Sequence, residues 1–270
     1  MRLLSWNVNG IRAVHKRGDL DWLWTSDADI VCLQETKLQE ADIPDDLKNL
    51  DGWTSFWSSG QKKGYSGVVT FVRDHVPSSE VAKGLGDDQF DQDGRIQITD
   101  HDAFILLNIY FPNGGRGPEH VAHKMAFYAK FHEVVNGFRD DGRDVVVCGD
   151  VNTAHHPIDT ARPEVDVNYS GHLPEERAFL DAFVDDGWID TFRTEHPARE
   201  GAFTWWSYQT DGRPDNIGMR IDYFFVNDAL GELVEDAWTS PQVMGSDHCP
   251  VGLELAIDFD DDEEQEDDAW

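Results

Sequence analysis

Apolar runs recur along the chain at about residues 2–8, 29–34, 67–73, 95–99, 103–111, 144–150, 221–227 and 251–257, and each reads as a β-strand. Two of them, Asp144-Val145-Val146-Val147-Cys148 and Phe104-Ile105-Leu106-Leu107-Asn108-Ile109, are apolar on both faces and so need cover on both sides. Helical patterns fall between the strands. Leu20, Trp22, Leu23 and Trp24 make a short one. Val121 to Phe138 makes a longer one, with Met125, Tyr128, Ala129, His132 and Val135 near helical spacing. Pro174-Glu175-Glu176-Arg177 opens a third, where proline fits the first turn and the acids suit the positive end of the helix dipole. Strands between two helical layers predict one α/β sandwich over residues 1–257. No linker interrupts it, and the only internal echo is Asn7-Val8-Asn9 in Asp150-Val151-Asn152. Residues 258–270 are nearly all acidic and read as a disordered, solvated tail.

Composition changes this picture in one respect. The 270 residues are 40% hydrophobic, with ten tryptophans, so the chain can bury a sizeable core despite a net charge of −31. Apolar runs that persist to residue 257 exclude an acidic disordered protein. Lysines are scarce beside the aspartates, and the reading that fits is an acid-coated globule suited to high salt, a halophilic surface. At molar salt the Debye length is about 3 Å, so dense carboxylates repel little. Cys32, Cys148 and Cys249 sit in or beside apolar strands without metal-type spacing, which points to buried thiols in a reducing cytoplasm. No stretch is long and apolar enough to be a membrane span, so no membrane partner is expected.

Polar residues at the ends of the apolar runs carry the candidate chemistry. Glu35 closes Ile30-Val31-Cys32-Leu33-Gln34, and Asn7 ends the first strand. Either alone reads as a surface or turn residue; together they make an inner shell for magnesium, which takes one or two carboxylates and keeps several waters. Asp150 and Asn152 follow the most buried-looking strand. Two apart, they would share a strand face, the carboxylate taking a proton from water and the amide holding it; a capped turn explains the pair equally well. Asp247 and His248 lie in Gly245-Ser246-Asp247-His248-Cys249-Pro250, and Asp222 could orient the imidazole. Carboxylates nearby help a histidine stay protonated. His15, His75, His101 and His196 read as surface residues, and His155 and His156 as loop structure.

In order and spacing these motifs resemble the exonuclease III family of apurinic/apyrimidinic endonucleases, within the endonuclease/exonuclease/phosphatase superfamily. Gly64-Tyr65-Ser66-Gly67-Val68, Tyr110-Phe111-Pro112-Asn113-Gly114-Gly115-Arg116-Gly117 and Phe203-Thr204-Trp205-Trp206-Ser207-Tyr208 add to the resemblance, which covers about residues 1–257. It implies a four-layered α/β/β/α sandwich, two mixed β-sheets packed face to face with helices outside. It also implies a magnesium-dependent repair nuclease, with Mn2+ as the expected substitute, that cuts 5′ to an abasic site in double-stranded DNA. Trimming of blocked 3′ ends as a 3′-to-5′ exonuclease and 3′-phosphodiesterase goes with it, and a monomer is the default state.

The resemblance assigns roles as well. Glu35 would be the main metal ligand, with Asn7, Asp150, Asn152, Asp247 and His248 around the metal. Asp150 would activate water positioned by Asn152. His248, paired with Asp222, would polarise the phosphate; Tyr110 would bind it, and Asp247 would support the metal or the leaving group. Trp205, Met219 and Ile221 match the wall of a pocket for the flipped-out sugar, although core packing explains Trp205 and Ile221 as readily, and Met219 stands where some relatives have Trp. Tyr65, Asn113 and Arg116 match DNA contacts. Lys37, Lys62, Lys63, Arg116, Arg213 and Arg220 lie in or beside the motif loops and would place positive charge round the site. A sibling phosphoesterase acting on lipid or inositol headgroups, and a degenerate DNA binder, are the alternatives; the complete polar set argues against the second.

Overall fold

A computed structural model describes residues 1–259. Twelve strands fall in that span: β1 (Arg2–Asn7), β2 (Ile30–Gln34), β3 (Trp53–Ser58), β4 (Val68–Arg73), β5 (Ser79–Ala82), β6 (Ile96–Asp100), β7 (Ile105–Tyr110), β8 (Val145–Asp150), β9 (Trp188–Asp190), β10 (Asp222–Asn227), β11 (Val234–Thr239) and β12 (Val251–Leu255). They form two six-stranded sheets, ordered β11-β12-β1-β2-β4-β3 and β5-β6-β7-β8-β10-β9.

The two sheets share one pairing plan. Each has a central parallel pair, β1 with β2 and β7 with β8, and every other neighbour is antiparallel. Under that plan β1 corresponds to β8 and β12 to β10, which gives the short sequence echo a structural basis. Asn9 N–H donates to Asn7 Oδ1 at 3.0 Å, and Asn152 N–H donates to Asp150 Oδ1 at 2.8 Å. Both second residues are left-handed, at φ 48° and 56°, a conformation asparagine tolerates better than most.

Alternation along the strands feeds three apolar layers. Leu3, Ile30 and Cys32 meet Leu106, Val146, Cys148 and Phe224 between the sheets. Leu4, Trp6, Val31 and Leu33 face outward under the short helices Ile11–Lys16, Asp21–Thr25 and Asp45–Lys48. Leu107, Val145 and Val147 face the long helices Pro118–Asp140 and Pro174–Asp185 through Phe127, Phe131, Leu180 and Phe183. This is the expected four-layered sandwich. Near the site the inner layer turns polar: Gln34 Nε2 donates to Ser5 Oγ at 3.0 Å and to Asn108 Oδ1 at 2.8 Å, a bond that ties one sheet to the other. Phe259 packs against the inner layer; residues 260–270, most of the expected acidic tail, lie outside the described residues. No helix among the described residues is long and apolar enough to cross a membrane.

His101 departs from its expected surface position. It is fully buried, with Nδ1 3.0 Å from Pro77 O and Nε2 2.8 Å from Thr99 Oγ1. Arg220 also departs. Its guanidinium is 1% exposed and grips Asp159 and Asp190, at 2.8 Å from Nε and 2.6 Å from Nη2, so it braces the fold and presents no charge to DNA.

Candidate active site

The shared plan puts the chemistry at one edge of the sandwich. There the carboxyl ends of β1, β2, β7 and β8 meet the first residue of β10 and the turn into β12. Asp222 lies directly across from Asp150 in the β10–β8 register. On the other side of β8, Gly149 allows the close approach of β7: it has φ 135°, and a Cβ there would lie 1.9 Å from Ile109 O.

Asn7 joins the two carboxylates that the sequence singled out. Its Nδ2 donates to Glu35 Oε1 at 3.1 Å and to Asp150 Oδ2 at 2.9 Å. Glu35 sits just past β2 with φ 51°, an unusual conformation for glutamate that costs about 1–3 kcal/mol. Backbone bonds on either side hold it there, Gly10 N–H to Glu35 O at 2.8 Å and Lys37 N–H to Ser66 O at 2.7 Å. Burial opposes the charge on Glu35. The Lys37 ammonium, 2.9 Å away, and hydrogen bonds from Lys37, Asn7 and Tyr110 together outweigh that and hold its pKa below the ordinary value.

His248 is clamped. Its Nδ1 lies 2.9 Å from Asp222 Oδ2, leaving Nε2 on the side of Asp150, 3.8 Å from Oδ2. Burial alone would discharge the imidazole; Asp222 and Asp150 overcome this and raise its pKa. Asp150 is pushed the other way for a carboxylate: burial raises its pKa, as do Asp222 and Glu35, against the pull of His248. Burial and the same two carboxylates, Glu35 and Asp150, raise the Tyr110 phenol, which stays neutral.

A second arm runs from Lys37 through Asn9, whose Oδ1 accepts from Nζ and whose Nδ2 donates to Asp247 Oδ1 at 2.9 Å. Trp205 Nε1 donates to Asp247 Oδ2 at 3.2 Å. Asn9 was not singled out by sequence; a left-handed asparagine behind a strand looks like any turn. Arg95 was missed for a similar reason, its place inside an apolar run. It is 4% exposed, donates to Tyr65 Oη at 2.6 Å and lies 4.9 Å over the Tyr110 ring, fixing both tyrosines.

Asn152 is where the strand argument fails. β8 stops at Asp150, so the two residues do not share a strand face. Asn152 Nδ2 donates to Phe111 O at 2.9 Å, and its Oδ1 accepts from Asn113 at 2.9 Å, leaving one N–H and one lone pair. Buried Lys124 holds the loop below, donating to Asn152 O at 2.6 Å and Glu176 Oε1 at 2.8 Å.

Two clefts flank the polar cluster. One, of about 560 Å³, is lined by Tyr65, Arg95, Tyr110, Asn113 and Arg116. The other, of about 420 Å³, is lined by Trp205 and Met219 with Tyr169 and Ile217. Ile221 is 6% exposed and is not among that cleft's lining residues. Lys62, Lys63 and Arg116 are exposed. Arg213 is not free: Nη1 donates to Ser246 O at 2.8 Å and Nη2 to Val243 O at 2.6 Å, bracing the loop before Asp247.

The donor set suits a hard divalent cation: one buried and one half-buried carboxylate on one amide, with carboxamide and imidazole beside them and no thiol. Asp150, Asp222 and His248 also offer ligand atoms within 4.8 Å of one another. The Nδ1–Asp222 bond makes that trio better suited to orienting the imidazole.

A model of the endonuclease/exonuclease/phosphatase family matches residues 4–248, the span holding every group described above. The chain belongs to this family. It is 41% identical to an exodeoxyribonuclease of Bacillus subtilis over 95% of this chain and 100% of the relative. It is 35% identical to the DNA repair nuclease APEX1 of Danio rerio, over 95% and 83%. The catalytic domain of APE2 from Xenopus laevis superposes with a TM-score of 0.82 at 32% identity, over 95% and 92%. This family member is a nuclease of the exodeoxyribonuclease and apurinic/apyrimidinic endonuclease type.

Proposed function

We propose that this nuclease uses Mg2+ to hydrolyse the phosphodiester 5′ to an abasic site in double-stranded DNA, and that it trims blocked 3′ ends at the same site. The observation that carries the reading is the convergence of Asn7, Glu35, Asp150, Asp222 and His248 in one polar cluster, all buried but half-buried Glu35. Glu35 and Asp150 would hold the metal, with Asn7, Asn152, Asp247 and His248 around it. When bound, the metal supplies positive charge against the phosphate oxygens.

The chain's own residues do the rest. His248, charged and held by Asp222, donates from Nε2 to a phosphate oxygen. Asp150 accepts a proton from the attacking water. Asn152 lends that water its one unused N–H. Tyr110, kept neutral and with Arg95 over its ring, presents its hydroxyl as a donor beside Glu35. Asp247 and Trp205 bound the leaving-group side, and Trp205 with Met219 walls the cleft for an extruded sugar. An abasic nucleotide has no base to unstack, so its extrusion costs less. Tyr65, Asn113 and Arg116 line the path of the DNA backbone.

Three buried free thiols fit a reducing cytoplasm, and the acid-rich surface fits a salt-rich one. Incubation of a duplex with a single abasic analogue, in magnesium and up to molar KCl, tests the assignment. Incision 5′ to the lesion with a 3′-hydroxyl product is expected; uniform degradation from 3′ ends without a nick at the lesion would refute the endonuclease reading.

A further inference from the structure

Away from the catalytic cluster, a second group of ligand-type side chains stands together. His155, His156 and Asp181 each offer a donor atom within 4.8 Å of the others. We propose that they form a transition-metal site of the zinc type, separate from the magnesium centre. They line a surface cleft of about 700 Å³ beside Asp185, Asp190 and Arg193.

The site is built rather than incidental. His155 is 2% exposed. Its Nε2 lies 2.8 Å from Asp181 Oδ1, while its Nδ1 is buried with no hydrogen-bond partner. Nε2 is therefore the nitrogen turned toward Asp181, and the His156 ring stacks on His155 at 3.7 Å between centroids. The backbone beneath is pinned at three points. His155 N–H donates to Tyr223 Oη at 3.1 Å, Arg177 Nε donates to His155 O at 2.8 Å, and His156 N–H donates to Asp159 Oδ2 at 3.0 Å. Asp181 comes from the helix Pro174–Asp185. Modest side-chain rotation would bring the three donors to the roughly 2 Å bonds that zinc makes with nitrogen and oxygen.

Chemistry separates this site from the catalytic one. Two imidazoles and one carboxylate suit zinc and its neighbours, whereas magnesium prefers an all-oxygen shell. A ligating imidazole must be neutral. Three protein donors at the surface leave a fourth position for water.

Calorimetric titration of the intact protein with Zn2+, in saturating Mg2+, tests the proposal. One site is expected. Its affinity should fall in His156→Ala and in Asp181→Ala by more than the roughly 10- to 100-fold that loss of an outer-shell partner costs. It should persist in Glu35→Ala. Both substituted side chains are at least partly exposed, and circular dichroism confirms that the variants fold. If either does not, the visible absorption of four-coordinate Co2+ bound to the wild type replaces the comparison. Absence of a zinc site, unchanged affinity in both variants, loss in Glu35→Ala, or no such Co2+ spectrum would each overturn the proposal.

Discussion

The division of labour between Asp222 and His248 is set by one bond. Because Nδ1 faces Asp222 at 2.9 Å, Nε2 is the nitrogen left for substrate. Asp222→Asn keeps the shape and removes the charge that holds the imidazolium. Steady-state kinetics should show kcat lower by roughly 10²- to 10⁴-fold, the usual scale of general acid–base assistance, with little change in KM. His101 supplies an independent test by pH. Burial lowers its pKa from 6.5 to about 4. The unfolded chain therefore binds the proton first, and this stabilisation, full above pH 6.5, drains as pH falls toward 4. At roughly 1.4 kcal/mol per unit, wild type should lose about 3 kcal/mol relative to His101→Gln over that window, measured by urea denaturation. At this scale sequence was uneven. Glu35, Asp150 and His248 each had an ordinary structural reading alone, and only their order along the chain together set them apart. Arg220, Arg213 and His101 were misread because sequence shows a charge or a ring and not the partner that occupies it.

Among the elements, the eight strands legible in sequence are the interior ones, and the four that were not are β3, β5, β9 and β11, the edges of the two sheets. An interior strand buried on both faces is a continuous apolar run. An edge strand is short, exposed or broken by a bulge, as β5 is by its polar residues and β11 by its register shift between Val234 and Asp236. The pairing plan common to both sheets was invisible for a different reason: it is carried by hydrogen-bond order, and only the two Asx turns leave a trace in the residues. The helices hold the site from outside through Lys124 and Glu176, both fully buried. Lys124→Met strands the carboxylate of Glu176. A loss of about 3–5 kcal/mol in stability is expected by chemical denaturation, with Asn152 released from below.

The whole molecule carries −31 and must approach a polyanion. Self-repulsion penalises the compact state until salt screens it, so the midpoint of thermal unfolding should climb from 0.1 M toward molar KCl, assayed by calorimetry at about those concentrations. Exposed Arg116 should matter unequally across that range. Phosphate contacts weaken as salt rises, so Arg116→Ala should reduce DNA affinity more at low salt than at molar salt in a fluorescence anisotropy titration. Under the proposed function, the apolar wall of Trp205 and Met219, with exposed Tyr169 and Ile217 beside it, would be left to hold the lesion when screening is strong. All of this presumes one catalytic centre built from both sheets. Single-turnover incision of an abasic duplex by wild type, Glu35→Ala and His248→Ala, in magnesium at the salt optimum, tests that most directly. The first variant removes a group from one sheet's edge and the second the imidazole that Asp222 of the other sheet orients. The account predicts that wild type nicks 5′ to the lesion and that each substitution alone abolishes the nick while DNA binding survives; incision at the wild-type rate by either folded variant would contradict it.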